Sequence, residues 1–446
     1  MEKSNTSVFD LDGRPSFGKA LPLALQHVLA MLVGNIVPSI IIAGVTGLTP
    51  EEKVAMIQVG MIIAALSTFI QLVPVLGFGA RLPVIMGVSF SYIPVLTAIG
   101  KAYGIQAVFG AQLIGAIVSI FVGVFIKQIR SYFPPIVAGT VVFTIGLSLY
   151  PVGINYMAGG VGAPDYGNLK YWGVALFTLL VVLVCNMFGK GMIKLAAILI
   201  GMVAGYIVSL ALNMVSFENI SNAGWFALPR PFYFGYKFQP TAVISMVVMY
   251  IVNSVQAVGD FSATTMGGLN REATDEELSG AIKGNGICSA IASAFGGLPT
   301  ASYSQNVGIV SMTKVVSLYV FKVAVVIILI AGLIPKFGAI MTTIPYPVLG
   351  GATISVFAMI TMTGMRLITQ GELSTRNLTI VGLSVALGVG MTGVSESISQ
   401  FPEWFKMVFG ASPVVIATTL VFFLNILMPK KSLAEEQMER DKFENN

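Results

Sequence analysis

The chain has 446 residues, 55% of them hydrophobic and only 10% charged, against about 25% charged in soluble domains, and its mean hydropathy is +0.86. This excludes a soluble globular enzyme and a disordered chain, and defines a polytopic helical membrane protein. The net charge of +5 and isoelectric point near 9.0 do not mark a nucleic-acid surface, because the basic residues are scattered singly between apolar stretches.

Residues 1–18 form a polar tail without a signal-peptide pattern, so the first apolar span is expected to stay in place as a transmembrane helix. Candidate spans of about 20 apolar residues then follow at 20–45, 54–76, 82–99, 103–125, 133–152, 170–188, 191–213, 240–267, 278–296, 302–314, 316–335, 345–365, 378–396 and 410–429. The first carries His27, the one histidine of the chain. A lone buried histidine is either a satisfied core residue or part of a site's geometry or proton coupling. The third and tenth spans are short, follow Leu82-Pro83 and Leu298-Pro299, and carry polar or small residues where a lipid-facing helix would carry Leu and Val. Both read as half-helices preceded by extended backbone. Cys185 and Cys288 lie in apolar spans without metal-type spacing and read as reduced core thiols.

In the eighth span Asn253, Gln256, Asp260 and Thr264 recur at spacings of three, four and four, which places them on one helix face. A polar stripe in an apolar helix has to meet a cavity or a partner. Burying the charge of Asp260 is expensive, so it is either paired as a staple between helices or titrates; a proton site is the reading preferred here. The tenth span contains the polar run Gln305-Asn306-Val-Gly308-Ile-Val-Ser-Met-Thr313-Lys314. Polar groups at bilayer depth are tolerated where protein or a water-filled cavity satisfies them, so this run is expected to line a site. After Pro429 come Lys430, Lys431 and a mixed-charge run, which suit a solvated cytoplasmic tail over 430–446.

Loop charges orient the spans. Seventeen Lys and Arg fall on the side shared with the N-terminus and seven on the other, with Lys322 inside the eleventh span. This bias places both termini in the cytoplasm and makes the number of spans even. The halves also repeat. Leu82-Pro83 returns 216 positions later at Leu298-Pro299, and Pro135-Ile-Val-Ala-Gly139 resembles Pro347-Val-Leu-Gly-Gly351, 212 positions on. Two halves of seven spans must be inverted relative to each other, the architecture of secondary transporters with paired broken spans. An enzyme reading finds no nucleophile with a base, metal cluster or phosphate loop, and no cofactor is expected.

Three motifs in order then carry a resemblance over about residues 17–430: Gln26-His27, Ala257-Val258-Gly259-Asp260, and the run from Gln305 to Lys314. Together they resemble the nucleobase/ascorbate transporter (nucleobase:cation symporter-2) family, in its xanthine and uric acid branch. The resemblance implies an all-α membrane protein of 14 spans in a 7+7 inverted repeat, with short β-strands in spans three and ten. It implies a core domain (19–125 and 237–343) and a gate domain (126–236 and 344–429).

By the same resemblance, substrate-binding residues are Gln256, Gln305, Phe90, Ser304 and Asn306. Asp260 and His27 are implied in proton coupling, and Gly308, Asn285 and Asn253 shape the surroundings, Gly308 by letting the backbone approach closely. A Gln at position 305 is typical of xanthine and urate carriers, where an amide both donates and accepts; uracil carriers tend to have Glu. Phe90 matches the aromatic residue that meets the base. Two departures stand out: Gln256 replaces a usual Glu, and Asn285 stands where many xanthine carriers have a carboxylate. Each keeps shape and removes an ionisable group. The expectation is a secondary active importer of xanthine or uric acid in the cell membrane, homodimeric and without a nucleic-acid partner, driven by proton symport. Uracil or broader nucleobase transport, sodium coupling, and an uncoupled facilitator or anion carrier of the same fold are the alternatives.

Overall fold

The computed structural model describes residues 6–129, 132, 134–217, 220, 223–410, 412–429, 433–435 and 437–438. Arg130 and most of the expected C-terminal tail, Lys430 and Lys431 included, lie outside the described residues. Each of the fourteen predicted spans overlaps one main helix, with ends displaced in places by five residues or more: α1 Phe17–Val45, α2 Pro50–Leu72, α3 Ile93–Tyr103, α4 Ile105–Val124, α5 Pro135–Met157, α6 Leu169–Phe188, α7 Ala197–Ala211, α8 Pro240–Thr264, α9 Asp275–Phe295, α10 Ser304–Thr313, α11 Leu318–Leu333, α12 Tyr346–Ile368, α13 Thr375–Gly393 and α14 Pro413–Leu427. Seven of these, α1, α2, α4, α5, α6, α8 and α12, are long and apolar enough alone to cross a membrane, and α11 adds an eighth when joined to the short helix Pro335–Thr342, bent from it by 76°. The others are shorter or more polar.

Local chemistry sets the helix starts. Thr49 and Thr274 each close a capping box, with Glu52 and Glu277 respectively, so two orphan amides are satisfied at the N-termini of α2 and α9. Proline occupies the first turn of α3, α5, α8, α12 and α14, where its missing N–H leaves no bond unmade. Where Pro83 and Pro299 precede spans three and ten, the chain instead stays extended and forms two strands, β1 Met86–Val88 and β2 Thr300–Ser302, both fully buried.

The strands pair antiparallel with Met86 opposite Ser302, Gly87 opposite Ala301 and Val88 opposite Thr300. Two further bonds extend the ladder, Ser89 N–H to Pro299 O at 3.0 Å and Tyr303 N–H to Ile85 O at 3.0 Å. Buried backbone without a helix is thereby satisfied by its counterpart in the other half of the chain. The same symmetry brings α5, which follows Pro134, onto α12, which follows Pro345. Antiparallel pairing of equivalent pieces is what an inverted repeat requires.

The helices pack in two groups. In one, α4 packs on α8 and α9, α2 on α11, and α1 on α2 and α11; in the other, α12 packs on α5 and α6, α6 on α7, and α14 on α5 and α13. The N-terminal segment is strapped to the first group: Val316 and Ser317 N–H donate to Val8 O, Leu318 N–H donates to Leu11 O at 3.0 Å, and Ser317 Oγ donates to Gly13 O at 2.6 Å. Asp12 also pairs with Arg81, just before β1, at 2.7 Å.

Candidate functional site

Two half-helices begin where the strands end, and between them opens a cavity of about 240 Å³. Its wall on one side comes from Val88 at the end of β1, Phe90 and Ser91 after it, Tyr303, Ser304 and Gln305 after β2, and Gln256 of α8; opposite stand Val142 of α5 and Met359 and Thr363 of α12. Polar amides from α8 and α10 thus face a mostly apolar wall from the other group, interrupted by Thr363 and Arg366 of α12. Ser91 Oγ donates to Gln256 Oε1 at 2.9 Å, which fixes that amide. Phe90 is buried, and its ring meets Phe357 of α12 edge-on at 5.1 Å between centroids.

Asp260 lies one helical turn from Gln256, buried behind the wall. Ser302 Oγ donates to its Oδ2 at 2.6 Å and Ser304 Oγ to its Oδ1 at 2.7 Å, so the carboxylate ties α8 to the junction of β2 and α10. Asn253 and Asn285 form a second layer. Asn285 Nδ2 donates to Asn253 Oδ1 at 3.1 Å, and Thr300 Oγ1 of β2 donates to Asn285 Oδ1 at 2.7 Å. Thr264, at the end of the polar stripe, hydrogen-bonds its own helix at Asp260 O and joins neither group.

Asn306 and His27 meet each other behind the cavity wall. Asn306 Nδ2 donates to His27 O at 3.0 Å and lies 3.1 Å from His27 Nδ1, while the His27 ring packs on Phe321 at 4.4 Å. Both are 1% exposed. Neither belongs to the cavity lining, so Asn306 touches α1 where substrate contact was expected. The close backbone approach expected at Gly308 is not found: the glycine is exposed, and an added Cβ would meet nothing within 4 Å. The crowded glycine is Gly87, where a Cβ would sit 2.5 Å from Tyr303 Cε2 and 2.6 Å from Asn35 Oδ1. The end of the polar run has a structural task. Lys314 takes a left-handed φ of 57°, stops α10 with its N–H on Val310 O, and sends Nζ to Gly267 O.

Sequence reasoning missed Ser91, Ser302 and Tyr303. A signal for them existed: Ser89-Phe90-Ser91 returns as Ser302-Tyr303-Ser304, 213 positions on, within the offset range of the other repeats.

Paired broken spans around a polar cavity in an apolar helical bundle define an integral membrane transporter, not an enzyme. The chain belongs to the permease family designated Xan_ur_permease, whose model matches residues 18–397. It is similar to the xanthine permease of Bacillus subtilis, 35% identical over 417 residues that cover 93% of this chain and 94% of that one. It is also similar to the uric acid permease PucK of the same organism, 33% identical over 405 residues that cover 90% and 91%. Among solved structures, the transmembrane domain of a cyanobacterium bicarbonate transporter, BicA, superposes with a TM-score of 0.57 at 14% identity, covering 92% of this chain and 98% of that one. That likeness bears on the fold alone, and the all-α polytopic class agrees with the sequence reading.

Proposed function

We propose that this permease imports oxidised purine bases, xanthine or uric acid, across the cell membrane by proton symport, with both termini cytoplasmic. The observation that carries the reading is the cavity wall where the amides of Gln256 and Gln305 stand beside Phe90 at the ends of the two strands. Each amide offers one donor and one acceptor face, which suits an edge of alternating C=O and N–H groups on an oxidised purine. Phe90 supplies an aromatic surface for any flat heterocycle. Relatives named xanthine permease and uric acid permease support the same substrate class.

In this reading Ser304 and Gln305 contact the base, and Asp260 carries the coupling proton. Protonation would turn one of its two acceptors into a donor and disturb the serine bonds that hold β2 and α10. His27 with Asn306 sets the angle of α10 against α1. The group of α1–α4 and α8–α11 (19–125 and 237–343) moves as a core domain against a gate domain of α5–α7 and α12–α14 (126–236 and 344–429). The grouping of helix contacts supports this division.

The test is uptake of labelled xanthine and urate into proteoliposomes under an imposed pH gradient. Accumulation above equilibrium that collapses with a protonophore is the expected result. Simple equilibration would overturn coupling and favour a facilitator, in keeping with the neutral Gln256. Failure of every purine to bind, or preference for uracil, would overturn the substrate assignment.

A further inference from the structure

Among the described residues, Arg366 is the one charged residue that lines the cavity. It belongs to α12, and Met359, Thr363 and Arg366, at i, i+4 and i+7, present one face of that helix to the amides of Gln256 and Gln305. Its surroundings leave the charge unspent. The guanidinium has no hydrogen-bond or ion-pair partner among the described residues, whereas Arg376, on the next helix, is bonded to Asn425 and to Met428 O. Among the described residues no carboxylate lines the cavity, and the nearby Asp260 has both oxygens covered by Ser302 and Ser304. Arg366 is exposed at the rim of the cavity, so beside a neutral amide cage it gives the site a net positive character whose pull on an anion is modest and screened by salt.

We propose that Arg366 is a specificity-determining residue that makes this site prefer the anionic form of an oxidised purine to neutral purines, its guanidinium facing the anionic edge of a base held by Gln256 and Gln305. This rests on the purine reading above. A topology signal alone would explain a basic residue at the end of a helix. It would not by itself place that residue on the helix face that lines the cavity.

The test measures equilibrium binding to the purified full-length protein in nanodiscs, with urate as the anionic probe and hypoxanthine as the neutral one, on the natural chain, Arg366→Gln and Arg366→Lys. Arg366→Gln is expected to weaken urate about three- to tenfold while hypoxanthine changes less than about twofold, and Arg366→Lys to keep most of the urate affinity. Raising the salt concentration should weaken urate more than hypoxanthine on the natural chain, a readout that needs no variant. Equal loss for both bases in Arg366→Gln, together with equal salt dependence on the natural chain, would overturn the proposal. Absence of any purine binding to the natural chain would instead overturn the functional reading beneath it.

Discussion

Replacing Gly87 with alanine asks whether the paired strands must keep their present spacing. The new Cβ would lie 2.5 Å from Tyr303 Cε2 and 2.6 Å from Asn35 Oδ1, well inside contact distance. Neither neighbour yields freely, because Tyr303 Oη donates to Val88 O at 2.7 Å and Asn35 Oδ1 accepts from Val88 N–H at 2.7 Å. Keeping both bonds forces β1 away from α1, an overpacking that costs about 1–3 kcal/mol. Giving up one bond leaves a buried polar group unsatisfied, for about 1–3 kcal/mol more. A total of roughly 2–6 kcal/mol corresponds to about 30- to 25,000-fold weaker binding if it falls wholly on the substrate-competent arrangement. The assay pairs the apparent melting temperature of purified protein with equilibrium binding of labelled urate. The double variant Gly87→Ala/Tyr303→Leu, which removes the ring, should recover part of the melting loss, so the two changes are non-additive. A Gly87→Ala protein that melts and binds like the natural chain would refute the reasoning.

Three further outcomes follow from the same geometry. Asp260→Asn exchanges one of two charged acceptors for a donor, so either Ser302 or Ser304 must turn its hydroxyl; the loss of about 1–2 kcal/mol weakens binding roughly five- to thirtyfold and abolishes gradient-driven accumulation. Accumulation with unchanged pH dependence in that variant would count against a coupling role. Gly308→Ala should leave the melting temperature unchanged or raise it, since the site is open and alanine favours the helix by up to about 1 kcal/mol; a fall would mean that the helix needs the glycine after all. Burial works against the charge of Glu277, yet the bonds from Arg271 and from Thr274 N–H outweigh it and hold the carboxyl below its ordinary range. Because the folded value is depressed, this stabilisation is complete above the ordinary glutamate range and is lost as pH falls through the lowered value. Glu277→Gln should therefore melt lower than the natural chain at neutral pH, with the gap closing in acid, and a gap that persists in acid would contradict the assignment.

Much of the architecture was legible because bilayer physics writes it in simple patterns. Apolar length marked the candidate spans, proline before a short polar stretch marked the extended backbone in which the two strands form, and three- and four-residue spacings put Gln256 and Asp260 on one face. What stayed hidden depended on partners far away in sequence. Nothing local indicates that Asn306 bonds His27 across 279 positions, or that Ser302 and Ser304 would both take Asp260. Arg366 was read as a topology charge, because loop counting sees which side a residue is on and not which cavity it borders. Gly308 was misjudged for a related reason: a glycine in a motif signals a constraint, but only the surrounding atoms show whether that constraint acts in a given arrangement.

The strap at the start of the chain makes the two ends of the protein unequal handles. Residues 8–13 are fastened to the segment that follows α10, whereas Arg376 of α13 grips Asn425 and Met428 at the far end of α14. A fluorophore attached near the N-terminus would therefore travel with the strand-bearing helices, and one placed just after α14 with the opposite group. If the proposed core and gate groups move against each other, the distance between such labels reports that movement, while a bulky fusion at the front end would strain the strap to Arg81 and α11.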